Sequence, residues 1–213
     1  MTSISILLPT YATVNLAALA HNLSRIKRYL SPGCEVMAIV KANAYGHGAV
    51  EIAQSLARQG IGQFAVASLD EGIALRQAGL SASIVILGAL FEEQIPDLIA
   101  HRLTPVVSDG RILPTLAKAA HSHQAPYPIH LKVETGMGRL GFSQDELLAV
   151  LDNPLLHSSL KIEGLMTHLA DADGADSAFT EQQLAAFRAM LDQVRLRGLT
   201  LPLVHAANSA AIV

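Results

Sequence analysis

Short apolar runs rich in Val and Ile alternate with segments of helical period along this chain, and that alternation restricts the possible folds more than any other feature. The runs are 36–40, 63–67, 84–87, 104–107, 129–133, 162–166 and 201–205, seven strand candidates in all. Most are apolar throughout, as expected of parallel strands covered on both faces. The segments between them carry helix-start signals. Ser68-Leu-Asp-Glu71 and Ser143-Gln-Asp-Glu146 fit the capping box, in which the Ser side chain and the downstream Glu each satisfy the other's orphan backbone donor. Thr180-Glu-Gln-Gln183 fits its Gln form and opens the longest amphipathic stretch, which runs to Arg197 and stops at Gly198. Residues 16–30 read as a further helix before the first strand.

Strand, helix, strand, helix with short connections predicts an α/β fold with a parallel sheet. No linker, low-complexity tract or repeat interrupts residues 1–213, so one domain is expected. Two architectures fit: an open doubly wound sheet and a (β/α)8 TIM-type barrel, which typically needs about 250 residues. The fifth run leans toward the barrel. His130, Lys132 and Glu134 share one face there, while Ile129, Leu131 and Val133 share the other. A polar face on a covered strand looks into a closed interior, whereas at a sheet edge it would only be solvated.

Composition removes several function classes. With 51% hydrophobic and 15% charged residues the chain is not disordered. No Trp is present and aromatics make up 4%, so the core must come from Ala, Leu, Ile and Val. A net charge of -3 without a basic cluster argues against a nucleic-acid partner. Cys34 is the single cysteine, which excludes an internal disulfide; no metal site is expected, and Cys34 reads as a packing residue. No stretch approaches the roughly 20 apolar residues of a membrane span, and the start lacks the pattern of a secretory leader. A soluble cytoplasmic protein without a membrane partner is the expectation.

Active sites in these folds lie at the carboxyl ends of strands. The first strand ends in Val40-Lys-Ala-Asn-Ala-Tyr-Gly-His-Gly48. A lysine directly after an apolar strand is either an imine-forming amine or a side chain that snorkels to water. Small residues at 42, 44, 46 and 48 leave room for close approach of a ring, and Tyr45 and His47 add polar tips. This nine-residue segment resembles the pyridoxal-phosphate attachment motif of the alanine racemase family. The likeness extends along the chain, through 15–23, 67–76, Leu131-Lys-Val-Glu-Thr-Gly-Met-Gly-Arg-Leu-Gly141, Gly164-Leu-Met-Thr-His168 and His205-Ala-Ala-Asn-Ser209.

The resemblance implies an N-terminal (β/α)8 barrel that holds pyridoxal 5'-phosphate, followed by a mostly β domain, in a head-to-tail homodimer. It favours the barrel over the open sheet. It implies interconversion of L-alanine and D-alanine through an external aldimine, supplying D-alanine for peptidoglycan. Lys41 would hold the cofactor and, once displaced, act as base on the D-enantiomer. Tyr45 would reach the phosphate region, and Arg139 would contact the ring hydroxyl and place the substrate. Lys132 matches a position that is N-carboxylated in several members; the other reading is a plain lysine paired with Glu134 or Glu163. His168 and His205 would buttress the cofactor ring, with His205 one layer back, and Asn208 and Ser209 would lie near the phosphate. His101, His121, His123 and His157 read as surface residues.

The same resemblance leaves parts without a position in these 213 residues: an eighth strand, an arginine facing the pyridine nitrogen, and the tyrosine that serves as the opposite base. The chain is therefore expected to be an incomplete barrel, truncated after about strand 7, with little or no activity alone. Two other readings remain open: a non-catalytic single-barrel protein that carries pyridoxal phosphate, and a regulatory subunit that has kept the barrel and lost the chemistry.

Overall fold

The structure, a computed structural model, describes residues 12–122, 126–153 and 158–213. Helix α1 (Leu16–Lys27) precedes β1 (Met37–Ile39), α2 (Lys41–Gly46) and α3 (Ala49–Arg58). Then follow β2 (Gln63–Val66), α4 (Leu69–Gln77), β3 (Ser83–Ile86), α5 (Ile95–Ala100), β4 (Thr104–Val107) and α6 (Leu113–Ala120). The last elements are β5 (Tyr127–Lys132), α7 (Gln144–Leu151), β6 (Leu160–Met166), α8 (Ala178–Leu196), β7 (Leu203–His205) and α9 (Ser209–Ile212). All seven strands are parallel and lie in one sheet in chain order, β1 to β7. Each expected run yields a strand, shifted by at most two residues at either end.

The sheet is curled, not open. Ala65, Val85, Val106 and Met166, from β2, β3, β4 and β6, form one small buried cluster inside the curve. A flat sheet would keep β2 and β6 four strands apart. The larger core lies on the convex side, where Phe64, Ile84, Val107, Ile129 and Leu131 pack under the helices. The stripe of β5 divides as expected: Ile129, Leu131 and Val133 join this outer core, while His130 and Lys132 are buried away from it. The His130 ring covers Gly164 of β6, where a Cβ would lie 2.7 Å from its Cγ, so only glycine fits. Glu134 departs from the stripe, because β5 has ended and its carboxylate turns back to the following loop.

Two helix starts follow the capping-box expectation, Ser68 with Glu71 and Ser143 with Glu146. The third does not. Helix α8 begins at Ala178, whose amide bonds to Asp176 Oδ1 at 2.9 Å, so Thr180 lies inside the helix and donates to the Asp171 carbonyl instead. Cys34 is exposed and does not pack in the core. His121 is exposed and His101 half-buried, while His123 and His157 lie outside the described residues.

At the amino ends of the strands Arg76 ties the shell together. Its guanidinium donates to the carbonyls of Leu80, Ala82, His101 and Arg102 at 2.6–3.0 Å. Nearby, the Tyr127 hydroxyl lies 2.7 Å from Leu103 O and 3.0 Å from Leu98 O. A lysine ammonium cannot span four carbonyls in this fork geometry. We therefore expect Arg76→Lys to lose about 2 kcal/mol of stability and Arg76→Ala more, measured by urea unfolding.

Candidate active site

The site is built from the loops that leave β1, β5, β6 and β7. Val40, buried, donates its amide to Ala65 O at 2.9 Å and carries the β1 pairing to the edge of the next element. From there the chain turns the unusual way. Ala42, Asn43, Ala44 and Tyr45 have φ of 51–55° and ψ of 38–49°, a run of left-handed helix without a single glycine. Each such residue costs about 1–2 kcal/mol relative to the right-handed form, so other contacts must hold the turn. Ala44 N donates to Val40 O, Gly48 N to Asn43 O and Ala49 N to Asn43 Oδ1, at 2.8–2.9 Å. Glu71 adds the decisive tie. One carboxylate oxygen accepts from Ala42 N at 2.6 Å and the other from Ala67 N at 2.7 Å, while also capping α4 at Ser68 N. A single carboxylate thus joins the exits of β1 and β2.

The turn leaves Lys41 half-buried at the strand end and folds Tyr45 back toward it, with Lys41 Nζ 6.0 Å from the Tyr45 ring centroid. Tyr45 is itself exposed. At the exit of β5, Lys132 is 5% exposed. Burial first, then the cations of Arg139 and Lys41, hold its ammonium below the ordinary lysine range, with Glu134 opposing. Among the described residues Lys132 has no ion pair, because Glu163 pairs with Lys161 at 3.5 Å and Glu134 is committed to backbone amides. Burial pushes Glu134 upward, yet the amides of Gly138, Gly136, Arg139 and Met137 outweigh it and hold the carboxyl below its usual range. That carboxylate shapes the loop carrying Arg139, which is exposed.

At the exit of β6, His168 is half-buried, and burial followed by Arg139, Lys132 and Lys41 lowers its pKa. Beyond β7, Asn208 accepts from Ala211 N at 3.1 Å and reaches Leu169 O at 3.5 Å, so it ties the β7 exit to the β6 loop. Ser209, exposed, opens the short α9. His205 lies within the curve, its Nε2 3.0 Å from His130 Nδ1 and the rings 5.1 Å apart edge to face. Burial depresses both to about 4, so both are neutral at pH 7 and one ring donates to the other.

Lys41, Lys132, Arg139 and His168 therefore share one electrostatic neighbourhood, with Tyr45 beside Lys41 and His205 deeper inside. A cavity of about 1130 Å³ lies to one side, between Phe91, Ser108, Asp109, Arg139, Phe142 and Val150. Of the cluster it includes Arg139 alone. No group of three metal-ligating side chains occurs among the described residues, and no helix there is long and apolar enough to cross a membrane. Three participants escape sequence reasoning: the second role of Glu71, the amide-binding Glu134, and His130 as partner of His205. Their signals were an ordinary capping box, an acid before a glycine-rich turn, and an alternating stripe.

A curled parallel sheet that brings a lysine, a buried unpaired lysine, an arginine and a histidine to the carboxyl ends of its strands defines an α/β-barrel domain with a cationic, lysine-centred site. The profile of the alanine racemase N-terminal domain matches residues 14–213, and the chain belongs to that family. It is 40% identical over 205 residues to the alanine racemase of Carboxydothermus hydrogenoformans, covering 96% of this chain and 55% of that protein. It is 41% identical over 211 residues to that of Sorangium cellulosum, with 96% and 56% covered. The solved alanine racemase of Clostridium difficile 630 in complex with cycloserine superposes with a TM-score of 0.92 at 34% identity, over 98% of this chain and 57% of that one. The chain thus spans about half the length of the relatives it matches.

Two outcomes follow from the geometry. Ala42→Gly should be neutral or stabilising by up to about 1 kcal/mol, because glycine has no left-handed penalty, whereas Ala53→Gly in α3 should cost at least about 1 kcal/mol; thermal unfolding distinguishes them. The histidine pair also sets a pH dependence. The unfolded chain takes up protons near pH 6.5 that the native rings refuse until about 4. This part of the stability is complete above pH 6.5 and is lost as pH falls toward 4, on the order of 3 kcal/mol for His130. Urea midpoints measured across that range should show the loss, and His130→Gln should reduce the slope.

Proposed function

We propose that residues 1–213 are a pyridoxal-phosphate-binding barrel domain that holds the cofactor on Lys41 and serves the interconversion of L-alanine and D-alanine. In this reading the protein is a cytoplasmic homodimer that supplies D-alanine for peptidoglycan. The observation that carries it is Lys41 in its left-handed turn, within electrostatic reach of Lys132 and His168, with no acid among the described residues paired to the buried Lys132. That donor set suits the cofactor: a primary amine for its aldehyde and fixed cations for its anionic groups and for a substrate carboxylate. When bound, pyridoxal phosphate supplies the aldehyde that condenses with an amine and the ring that accepts the electron pair left at the α-carbon.

The chain's own residues do the rest. Lys41 Nζ would hold the cofactor, and as a free amine it would move the α-proton of the D-enantiomer. Arg139 offers a planar fork to the ring hydroxyl and to the substrate carboxylate, on a loop kept in shape by Glu134. His168, whose pKa burial and three cations lower, supports the ring without adding a charge. His205, fixed by His130, backs the site from inside, and Tyr45, Asn208 and Ser209 serve the phosphate side.

Lys132 fits N-carboxylation. Its ammonium is destabilised by burial and by Arg139 and Lys41, so the neutral amine is more accessible there than in water. The nitrogen lone pair bonds the carbon of CO2, a proton leaves to solvent, and the resulting anion would pair with Arg139 and Lys41. The modification adds 44 Da in proportion to bicarbonate, about the mass of one CO2, and native mass spectrometry reads it.

An absorption spectrum tests the central claim. Protein mixed with pyridoxal phosphate should show a visible band that borohydride removes and that Lys41→Ala lacks. Deuterium exchange at the alanine α-carbon should follow the same pattern. A protein that gains the band but never exchanges alanine's α-proton is a carrier and not a racemase. One that stays colourless sinks the assignment of Lys41.

A further inference from the structure

Gln183 belongs to the expected capping box at Thr180, which does not form. It sits a turn and a half into α8 with no measurable exposure, and its side chain reaches across to the strand ends. Its Oε1 accepts from Ala170 N at 2.9 Å, and its Nε2 donates to His168 O at 3.0 Å. The same Nε2 lies 3.4 Å from Thr135 Oγ1, which is 2.7 Å from Thr167 Oγ1, and Thr167 donates to Val133 O at 3.1 Å. One fully buried amide therefore grips the β6 loop at two points and touches the β5 loop at a third. Gly136 allows this closeness: a Cβ there would lie 3.0 Å from Phe179 Cζ and 3.4 Å from Gln183 Cγ. Glutamine in a helix interior normally faces water, and an amide buried this fully is retained only where both its donor and its acceptor are used.

We propose that Gln183 is a positioning residue, setting where His168 stands against Arg139 by locking the β5 and β6 loops to α8. The proposal deepens the reading of His168 as part of the cofactor site and rests on it for its consequence, though not for its test. Three elements bear on the His168 ring: Lys41 from the β1 exit, Lys132 at the end of β5 and Arg139 from the loop beyond it. Asn208 holds the neighbouring Leu169 carbonyl from the β7 side and would not by itself fix His168. Without the amide, His168 O and Ala170 N must find water, and the loop moves outward from the three cations.

The test is the titration of His168, followed by NMR of histidine-labelled protein without pyridoxal phosphate or alanine, in the original protein and in Gln183→Met. Methionine keeps the length and burial of the side chain and removes both hydrogen-bonding ends. The His168 midpoint should rise by about half a unit or more toward the ordinary value near 6.5, since the ring becomes better solvated and farther from the cations. An unchanged midpoint in a folded variant overturns the proposal and leaves Gln183 a purely structural residue. If Gln183→Met does not fold, Thr135→Val decides, because it removes the hydroxyl next to the amide and should move His168 in the same direction by a smaller amount; no movement overturns the proposal equally. In protein loaded with pyridoxal phosphate, α-proton exchange should fall about tenfold in Gln183→Met. Since the titration needs no cofactor, a shifted midpoint with no visible band in the original protein would refute the cofactor assignment and uphold the positioning role.

Discussion

The carboxylate of Glu71 is the constraint on which the arrangement around Lys41 depends. Four non-glycine residues in left-handed helix store on the order of 4–8 kcal/mol of local strain, summed at the usual cost per residue. Short bonds within the turn offset part of it, but the first amide of the run, that of Ala42, has its partner 29 positions away in Glu71. Because the other oxygen of that carboxylate bonds to the amide of Ala67, the turn is referenced to β2 and not to its own flanks. Strain of this kind persists only where surrounding structure over-determines it, and it gathers at functional sites. Here it aims one amine along the end of a strand while bringing the Tyr45 ring back beside it.

Electrostatics completes what the backbone begins. Lys41, Lys132 and Arg139 repel one another and disfavour a charge on His168, and the acids Glu71, Glu134 and Glu163 are engaged elsewhere: Glu71 and Glu134 by backbone amides, Glu163 by Lys161. A buried cation without a counter-ion is expensive, and the depressed lysine at 132 and histidine at 168 record that cost. An anion entering the mouth would relieve the mutual repulsion of these three basic side chains. The histidine pair below behaves differently. His130 and His205 stay uncharged and bond to each other, so the interior of the curve carries polar contacts without adding to the positive field.

Much of this was legible in the residues. The apolar runs located every strand because parallel strands buried on both faces need unbroken hydrophobic stretches. The stripe of β5 pointed to a polar interior, and His130 and Lys132 lie there. Ser68 and Ser143 cap as read. Other features were out of reach for identifiable reasons. In Ala-Asn-Ala-Tyr only Asn43 tolerates the left-handed region readily, so little local announces a run of four, and its cause sits in a different helix. The box at Thr180 failed because Asp176 takes an earlier amide and starts α8 upstream, which freed Gln183 for a long-range contact. Glu134 looked like the next residue of the stripe, but the strand ended before it.

Two of the loops at the mouth are held by side chains borrowed from elsewhere: the β1 loop by Glu71 at the start of α4, the β6 loop by Gln183 of α8 and by Asn208 beyond β7. A helix on the outer wall is thereby part of its neighbour's chemistry, and substitutions that merely tilt α4 or α8 will be felt at residues they never touch. Sensitivity to mutation in such a domain should trace the wall as much as the mouth, following the bracing and not the distance from the reacting atoms.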